Sequence, residues 1–489
     1  MGRASDAVCR AIERLPHHYV GGEWIQPQSQ QSFDLVNPAD ETVLGKIYLA
    51  TKGDVEHAIQ IARQAFGSFS KTSKAERLSI LRRLLEISEA RKMDMANAMS
   101  LEMGAPMTLA IEAHADSAIG HLQGFIEALE KQDERETLSN GDVLIREPIG
   151  VCGLITPWNW PLNQVTLKVL PAIATGCTCV LKPSEFTPLS AALYAEMLEE
   201  AGCPPGVFNM VQGDGPNAGA TLSKSPDITM VSFTGSTRAG VQVTRDAAES
   251  VKRVTLELGG KSPNILFADC DLEQRVTDSV LECFGNTGQS CDAPSRLLVE
   301  RECYEQAVAI AQRVGEAQAI GDPAETGDHL GPLISDIQFG RVQALIEKGL
   351  EEATLLCGGA GKPEGFSAGY YVKPTIFSDV NNQMTIARQE IFGPVLSIIP
   401  FDSEAEAIEI ANDTPYGLAA YLQTGSAERA ERVVPQLRAG AVHVNGGGFN
   451  YGSPFGGYKQ SGNGREGGAH GLEDYQELKT LHTTPGTLS

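Results

Sequence analysis

The sequence predicts an α/β protein made of two parallel-sheet units in series with a small β arm, and three observations carry that prediction. Short apolar runs alternate with helical ones between Val151 and Gly260. A second alternation of the same kind begins near Ser262 and continues to about His443. At 489 residues the chain is too long for one ordinary core, so two or three domains are expected. Strand and helix in alternation imply a parallel sheet, because a parallel neighbour is reached only by a crossover, usually a helix.

The elements follow in chain order. From about Asp54 to Lys131 apolar residues recur at three- and four-residue intervals, as at Leu78, Leu81 and Leu85, which predicts helices. Ser73 with Glu76 reads as a capping box opening one of them. LSNGDVLIREPIG, residues 138 to 150, has turn residues and a short alternating run. It predicts an extended excursion, either an arm lying on a partner subunit or a plain surface hairpin. VCGLIT, CTCVLKP, VFNMVQG, ITMVSFTG and RVTLELGG read as strands of the first sheet, with TLKVLPAIATG and ALYAEMLEEAG as helices between them. Cys177 and Cys179 are expected to be small apolar fillers on one side of their strand. SPFGGYKQSGNGREGGAHGLEDYQ is too rich in glycine for a regular core element, so a loop near the cleft followed by a tail is expected.

Charged residues at 21% and apolar ones at 42% fit a folded protein, and no run approaches bilayer length, so no membrane partner is expected. A net charge of −23 argues against nucleic acid, whose binding relies on dense positive charge. The N-terminal stretch lacks the apolar core of a signal peptide, and a cytoplasmic protein is expected. Ten cysteines are scattered without a CxxC pair or clustered histidines, which suits reduced thiols and predicts no metal site.

Five segments carry chemistry. FTGSTRAG, residues 233 to 240, follows a strand and opens a helix, so backbone N–H groups near Gly235 would face an anion, with Ser236 able to donate a further bond. LKPSEFTP ends another strand of the same sheet, placing Lys182 and Glu185 where a ribose would sit. A carboxylate there accepts from ribose hydroxyls and repels a 2′-phosphate, which favours NAD over NADP. LELGGKSP puts Glu257 before a Gly-Gly pair at the boundary between the two units, where a cleft should open and a carboxylate could act as general base. TPWNWPLN sets Asn159 between two tryptophans, suited to stabilising an oxyanion or to a structural turn with buried indoles. FGNTGQSC places Cys291 after two glycines and two amides, a setting for a reactive thiol.

Together these pieces resemble the aldehyde dehydrogenase superfamily of the non-acylating, NAD(P)-dependent type, over about residues 20 to 482. FGNTGQSC, LELGGKSP, PWNWP, KPSE, FTGST and QEIFGPVL match the family's segments in its order and spacing. The resemblance implies a Rossmann-like NAD-binding domain (residues 1–130 and 149–258), a second α/β catalytic domain (259–470), and an oligomerisation arm and tail (131–148 and 471–489) of a homodimer or homotetramer. It implies that Cys291 attacks an aldehyde as a thiolate, that the Asn159 amide and the Cys291 N–H hold the oxyanion, and that Glu257 activates the water that hydrolyses a thioester. The cofactor side would include Thr156, Pro157, Trp158, Lys182, Ser184, Glu185, Gly235, Ser236 and Leu258, with Glu390 on the nicotinamide ribose and Phe392 near its ring. Glu466 matches a position credited with proton relay, although a surface Glu explains it as well, and Lys168 matches a family lysine near the base.

By the same matching, Trp160, Gln164, Leu167, Ser290, Asp292, Phe449 and Phe455 would line the substrate tunnel. Trp160 departs from the family's frequent Phe, and Asp292 from its small or polar residues. A negative charge at Asp292 would disfavour anionic aldehydes, unless the carboxylate turns away into a hydrogen bond. Two rival functions remain on the sequence. A CoA-acylating enzyme has no use for a hydrolytic base at Glu257, and a cofactor-free Cys acyl hydrolase leaves KPSE and FTGST unexplained.

Overall fold

Val151–Ile155 is the pivot of the first sheet in the computed structural model, which describes residues 5–482. Five parallel strands lie in the spatial order Arg253–Glu257, Met230–Thr234, Val151–Ile155, Thr178–Lys182, Phe208–Met210. The first of these in the chain is the middle one in space, so the chain winds outward in both directions. A crevice therefore opens where Val151–Ile155 and Met230–Thr234 end side by side. Val151–Ile155, Thr178–Lys182 and Met230–Thr234 are buried at every position, which is why they read as continuous apolar runs rather than alternating ones.

Antiparallel strands finish both edges. His18–Val20 and Glu23–Ile25 extend one side. On the other, Gly462–Asn463 pairs with Arg253–Glu257, so the glycine-rich segment assigned by sequence to the second unit returns to the first sheet. Gly462 permits this approach: its φ is +124°, and a Cβ there would stand 1.9 Å from the Leu256 carbonyl oxygen.

The helical stretch is resolved into Lys52–Phe69, Lys74–Ala90, Lys92–Met103 and Asp116–Lys131 as its long members. Ser73 and Glu76 form the capping box read from the sequence, and Thr51 with Asp54 forms a second one that was not. Before Asp116 the chain makes a π-helical turn, Ala110–Ala115, which carries the buried His114. Such turns widen the helix locally and re-aim the side chains around them.

The second sheet runs Thr354–Cys357, Thr375–Ser378, Val395–Phe401, Arg296–Glu300, Pro263–Leu266, Ala419–Gln423, Ala441–Val444, parallel apart from the antiparallel Thr354–Cys357. Cys291 lies between the helix Leu272–Phe284 and the strand Arg296–Glu300. A third, antiparallel sheet joins Arg135–Thr137 and Val143–Pro148 to Gln476–Leu481. The excursion is thus a hairpin completed by the tail of its own chain, with Leu478 exposed on the last strand. The end of the expected tail, residues 483–489, lies outside the described residues. Among the described residues no helix is long and apolar enough to cross a membrane.

Candidate active site

The cysteine segment bends through three successive left-handed residues: Asn286 at φ 53°, Thr287 at 56° and Gly288 at 69°. Left-handed backbone costs an L-residue about 1–2 kcal/mol, so Asn286 and Thr287 must be held there by their surroundings. Asn286 Nδ2 donates to the Asn159 carbonyl at 2.9 Å and to the Gln289 carbonyl at 3.3 Å. Thr287 Oγ1 donates to the Gly331 carbonyl at 3.1 Å, and Gln289 Oε1 accepts from the Ile334 N–H at 3.0 Å. Close packing fixes the path as well. A Cβ on Gly288 would stand 2.1 Å from the Gly393 carbonyl oxygen, and one on Gly260 2.2 Å from that of Cys291.

Cys291 lines a cavity of about 160 Å³ together with Pro157, Trp158, Asn159, Gly235, Ser236, Glu257, Leu258, Glu390 and Phe392. Asn159 Nδ2 donates one hydrogen to the Gln289 carbonyl at 3.0 Å, which leaves its second N–H free. Glu257 is buried, and neither carboxylate oxygen has a hydrogen-bond partner among the described residues. Its carboxyl titrates well above the usual range, first because burial disfavours the charge and then because Glu466 is near, with Lys168 and Arg465 pulling the other way. Glu466 is not a surface residue: it is buried and bonded to the buried Lys168 ammonium. Burial also pushes the Cys291 thiol well up, and Asp292, Glu257 and Glu390 add to the shift.

The residues expected on the cofactor side fall into two groups. Pro157, Trp158, Gly235, Ser236, Leu258, Glu390 and Phe392 lie with Cys291 around the cavity. Ser236 caps the 12-residue helix Thr237–Ala248, its side chain accepting from the Ala239 N–H, and Leu258 packs against Gly240, where a Cβ would come within 2.7 Å of Leu258 Cδ2. Glu390 Oε1 accepts from the Gly260 N–H at 3.0 Å, and Phe392 meets Trp158 edge-on at 5.3 Å between ring centroids. Thr156, Lys182, Ser184 and Glu185 lie further along the strand ends, outside the lining of that cavity. There Lys182 Nζ donates to the Pro183 and Gly213 carbonyls at 2.8 and 2.9 Å and sits 3.3 Å from Glu185 Oε2, while Ser184 Oγ accepts from the Phe186 N–H. Among the described residues no group of three or more His, Cys, Asp or Glu could hold a metal ion.

The model of the aldehyde dehydrogenase family matches residues 24–481. The chain belongs to this family. It is 50% identical over 465 residues to 3-succinoylsemialdehyde-pyridine dehydrogenase of a Pseudomonas species, covering 95% of this chain and 97% of the relative. Among solved structures, an aldehyde dehydrogenase from Bartonella henselae superposes with a TM-score of 0.94 at 46% identity, covering 95% of this chain and 98% of the other. Aldehyde dehydrogenase C from Pseudomonas syringae, a Cys-to-Ala variant crystallised with NAD+ and octanal, gives 0.94 at 47% identity, covering 96% and 97%. As a family member the protein is an oxidoreductase, and oxidation of an aldehyde to its acid is the reaction expected of it.

Within this aldehyde dehydrogenase fold the residues expected to line the tunnel differ in exposure, from buried Gln164 and Leu167 to exposed Phe449. Trp160 Nε1 donates to Ser290 Oγ at 2.9 Å, bringing those two together beside the nucleophile. Phe449 and Phe455 approach at 6.1 Å, within an aromatic group that also includes Tyr451 and His121. Gln164 is buried, its Oε1 without a partner among the described residues, whereas Leu167 packs into the apolar core of the first unit. Burial raises the Asp292 carboxyl, and a hydrogen bond from its own backbone N–H and the charge of nearby His443 oppose the shift. The Asp292 carbonyl accepts from the Tyr421 hydroxyl at 3.2 Å, and Tyr421 stacks on His443.

Several contributors were missed by sequence reasoning. Gln338 donates to the Phe392 carbonyl at 2.9 Å and Arg341 to that of Glu390 at 2.8 Å, which together fix the segment carrying those residues. His114 and His121 were also missed, although two histidines two turns apart in an apolar helical stretch were a visible cue.

Proposed function

We propose that the protein oxidises an aldehyde to a carboxylic acid with NAD+, through a thioester on Cys291 that water hydrolyses. One observation carries this reading: Asn159, Glu257 and Cys291, from three distant segments, line a single cavity with Gly235, Ser236 and Glu390. The residues present fit the cofactor. The Ser236 helix start offers free N–H groups to an anion, Glu390 keeps one carboxylate oxygen beyond its bond to Gly260, and the crevice lies where the strand order reverses. When bound, the oxidised nicotinamide supplies the hydride acceptor and a positive charge in the cavity that favours the Cys291 thiolate.

The chain's own groups do the remaining work. Cys291 sulfur bonds to the aldehyde carbon, and the free Asn159 N–H with the Cys291 backbone N–H holds the oxygen that becomes anionic. Loss of hydride and return of the electron pair to the carbon–oxygen bond leave the thioester. Glu257 then takes a proton from water, the resulting hydroxide adds to the thioester carbonyl, and the carbon–sulfur bond breaks to release acid and thiolate. An unpartnered buried carboxylate suits this water step, and NADH formation from aldehyde and NAD+ without CoA tests it. A strict CoA requirement would replace this reading with the acylating one.

Because Glu257 titrates well above the usual carboxyl range, it is protonated, and unable to accept a proton, at the acid end of the working range. The hydrolytic step should therefore accelerate as pH rises through that raised value. Single-turnover decay of the acyl-enzyme measured across pH checks this, and a pH-independent decay would count against Glu257 as the base.

The Glu185 carboxylate at the ribose end supports NAD over NADP. We expect kcat/KM for NAD to exceed that for NADP by at least about tenfold, with Glu185→Thr narrowing the gap. Equal use of both nucleotides by the parent enzyme would remove this assignment. For the aldehyde, the Asp292 carboxylate next to Cys291 supports neutral or cationic substrates over anionic ones. The structure relatives' octanal and the pyridine of the named Pseudomonas enzyme guide the choice of panel. Octanal and a pyridyl aldehyde should outperform succinic semialdehyde, and the highest kcat/KM on succinic semialdehyde would refute the role of Asp292.

The domain division given above, with Gly462–Asn463 returned to the first sheet, and the use of the three-stranded sheet in a homodimer or homotetramer belong to the same reading. Exposed Leu478 on that sheet's last strand supports the second point. Ten free thiols support a reducing, cytoplasmic setting.

A further inference from the structure

His114 is buried, lies in the π-helical turn Ala110–Ala115, and touches the nucleophile segment in two ways. Its Nε2 is 3.1 Å from Asn286 Oδ1. Its ring stacks on Trp160 at 4.1 Å with planes 23° apart, and Trp160 Nε1 donates to Ser290 Oγ. The tautomer follows from the network. Asn286 Nδ2 donates to two carbonyls, so the oxygen of that amide faces His114 and must accept, which requires the proton on Nε2. Burial lowers the ring's pKa to about 4, which keeps it a neutral donor, and Nδ1 has no partner among the described residues.

Asn286 is the hinge of a closed set of bonds. Its Nδ2 donates to the Asn159 carbonyl, and Asn159 Nδ2 donates back to the Gln289 carbonyl, two residues before Cys291. The Asn286 side chain thus sets the distance between the oxyanion amide and the sulfur while its own backbone is left-handed. Freed on its Oδ1 side, that amide could rotate and the two strained residues could relax toward right-handed backbone.

We propose that His114 is a positioning residue: its neutral Nε2–H and its stacked ring hold Asn286 and Trp160 so that Cys291 faces the Asn159 amide. The inference rests on the reading of Cys291 as nucleophile. His114→Phe keeps the stack and removes the bond. We expect its kcat to fall by about tenfold to a hundredfold, as a displacement of order 1 Å does, with KM for NAD and aldehyde within about twofold of the parent. Amide hydrogen exchange in peptides spanning residues 284 to 296 should rise at the same time, reporting the loosened loop independently of turnover. His114→Gln, whose amide can donate to the same oxygen but lacks the ring, should recover the larger part of both readouts. If His114→Phe does not fold, His114→Asn, too short to reach Asn286, should show the same losses.

Parent-like kcat and exchange in folded His114→Phe or His114→Asn would overturn the proposal, as would equal losses in His114→Gln and His114→Phe. Cys291→Ala separates the two levels: if that protein still turns over, the nucleophile assignment has failed, whatever the His114 variants do.

Discussion

In the Cys291→Ala protein NADH formation falls by about 10⁴-fold or more, while NAD binding remains measurable by quenching of tryptophan fluorescence. The size follows from the chemistry. No other thiol lines the cavity: Glu257 and Glu390 are carboxylates, Thr234 and Ser236 carry hydroxyls that are not ionised near neutral pH, and the remaining nine cysteines lie elsewhere in the chain. The binding half follows from the packing, because the Ser236 helix start and Glu390 are held by contacts to Ala239 and Gly260 that do not involve the thiol. Turnover within tenfold of the parent would remove Cys291 as nucleophile.

Glu257→Gln separates the two halves of the reaction. The amide is the same size as the carboxyl, so the cavity and the Cys291 path past Gly260 are retained, but it cannot take a proton from water. We expect one equivalent of NADH in a rapid first phase, followed by steady turnover slowed by about 10²- to 10⁴-fold, the usual contribution of a positioned general base. The acid limb of the pH profile should vanish with the carboxyl. Loss of the rapid phase would mean that Glu257 acts before thioester formation, for instance on the thiol of Cys291, whose own pKa its charge helps to raise.

Legibility in the sequence divided along a physical line. The parallel strands could be read because burial on both faces makes their apolar runs continuous, and Cys291, Glu257 and Asn159 could be read because each sits among glycines or tryptophans that a plain core segment would not use. The Gly462–Asn463 edge strand was assigned elsewhere, since two residues in a glycine-rich segment carry no periodic pattern. The excursion could be seen as extended but its partner could not, because pairing with Gln476–Leu481 joins segments more than 300 residues apart. The same separation hid His114, Gln338 and Arg341, whose importance lies only in what they touch. Burial decided two further points. It made Glu466 the partner of Lys168 rather than a surface residue, and it raised the Cys291 thiol.

The central claim is that the acyl group rests on Cys291 and leaves by water that Glu257 activates. The direct measurement is the mass of the Cys291 peptide from Glu257→Gln protein quenched in acid after mixing with NAD+ and octanal. The account predicts this peptide, and no other cysteine peptide, heavier by the octanoyl group in an amount equal to the NADH formed in the first phase. An unmodified Cys291 peptide alongside a full equivalent of NADH would contradict it.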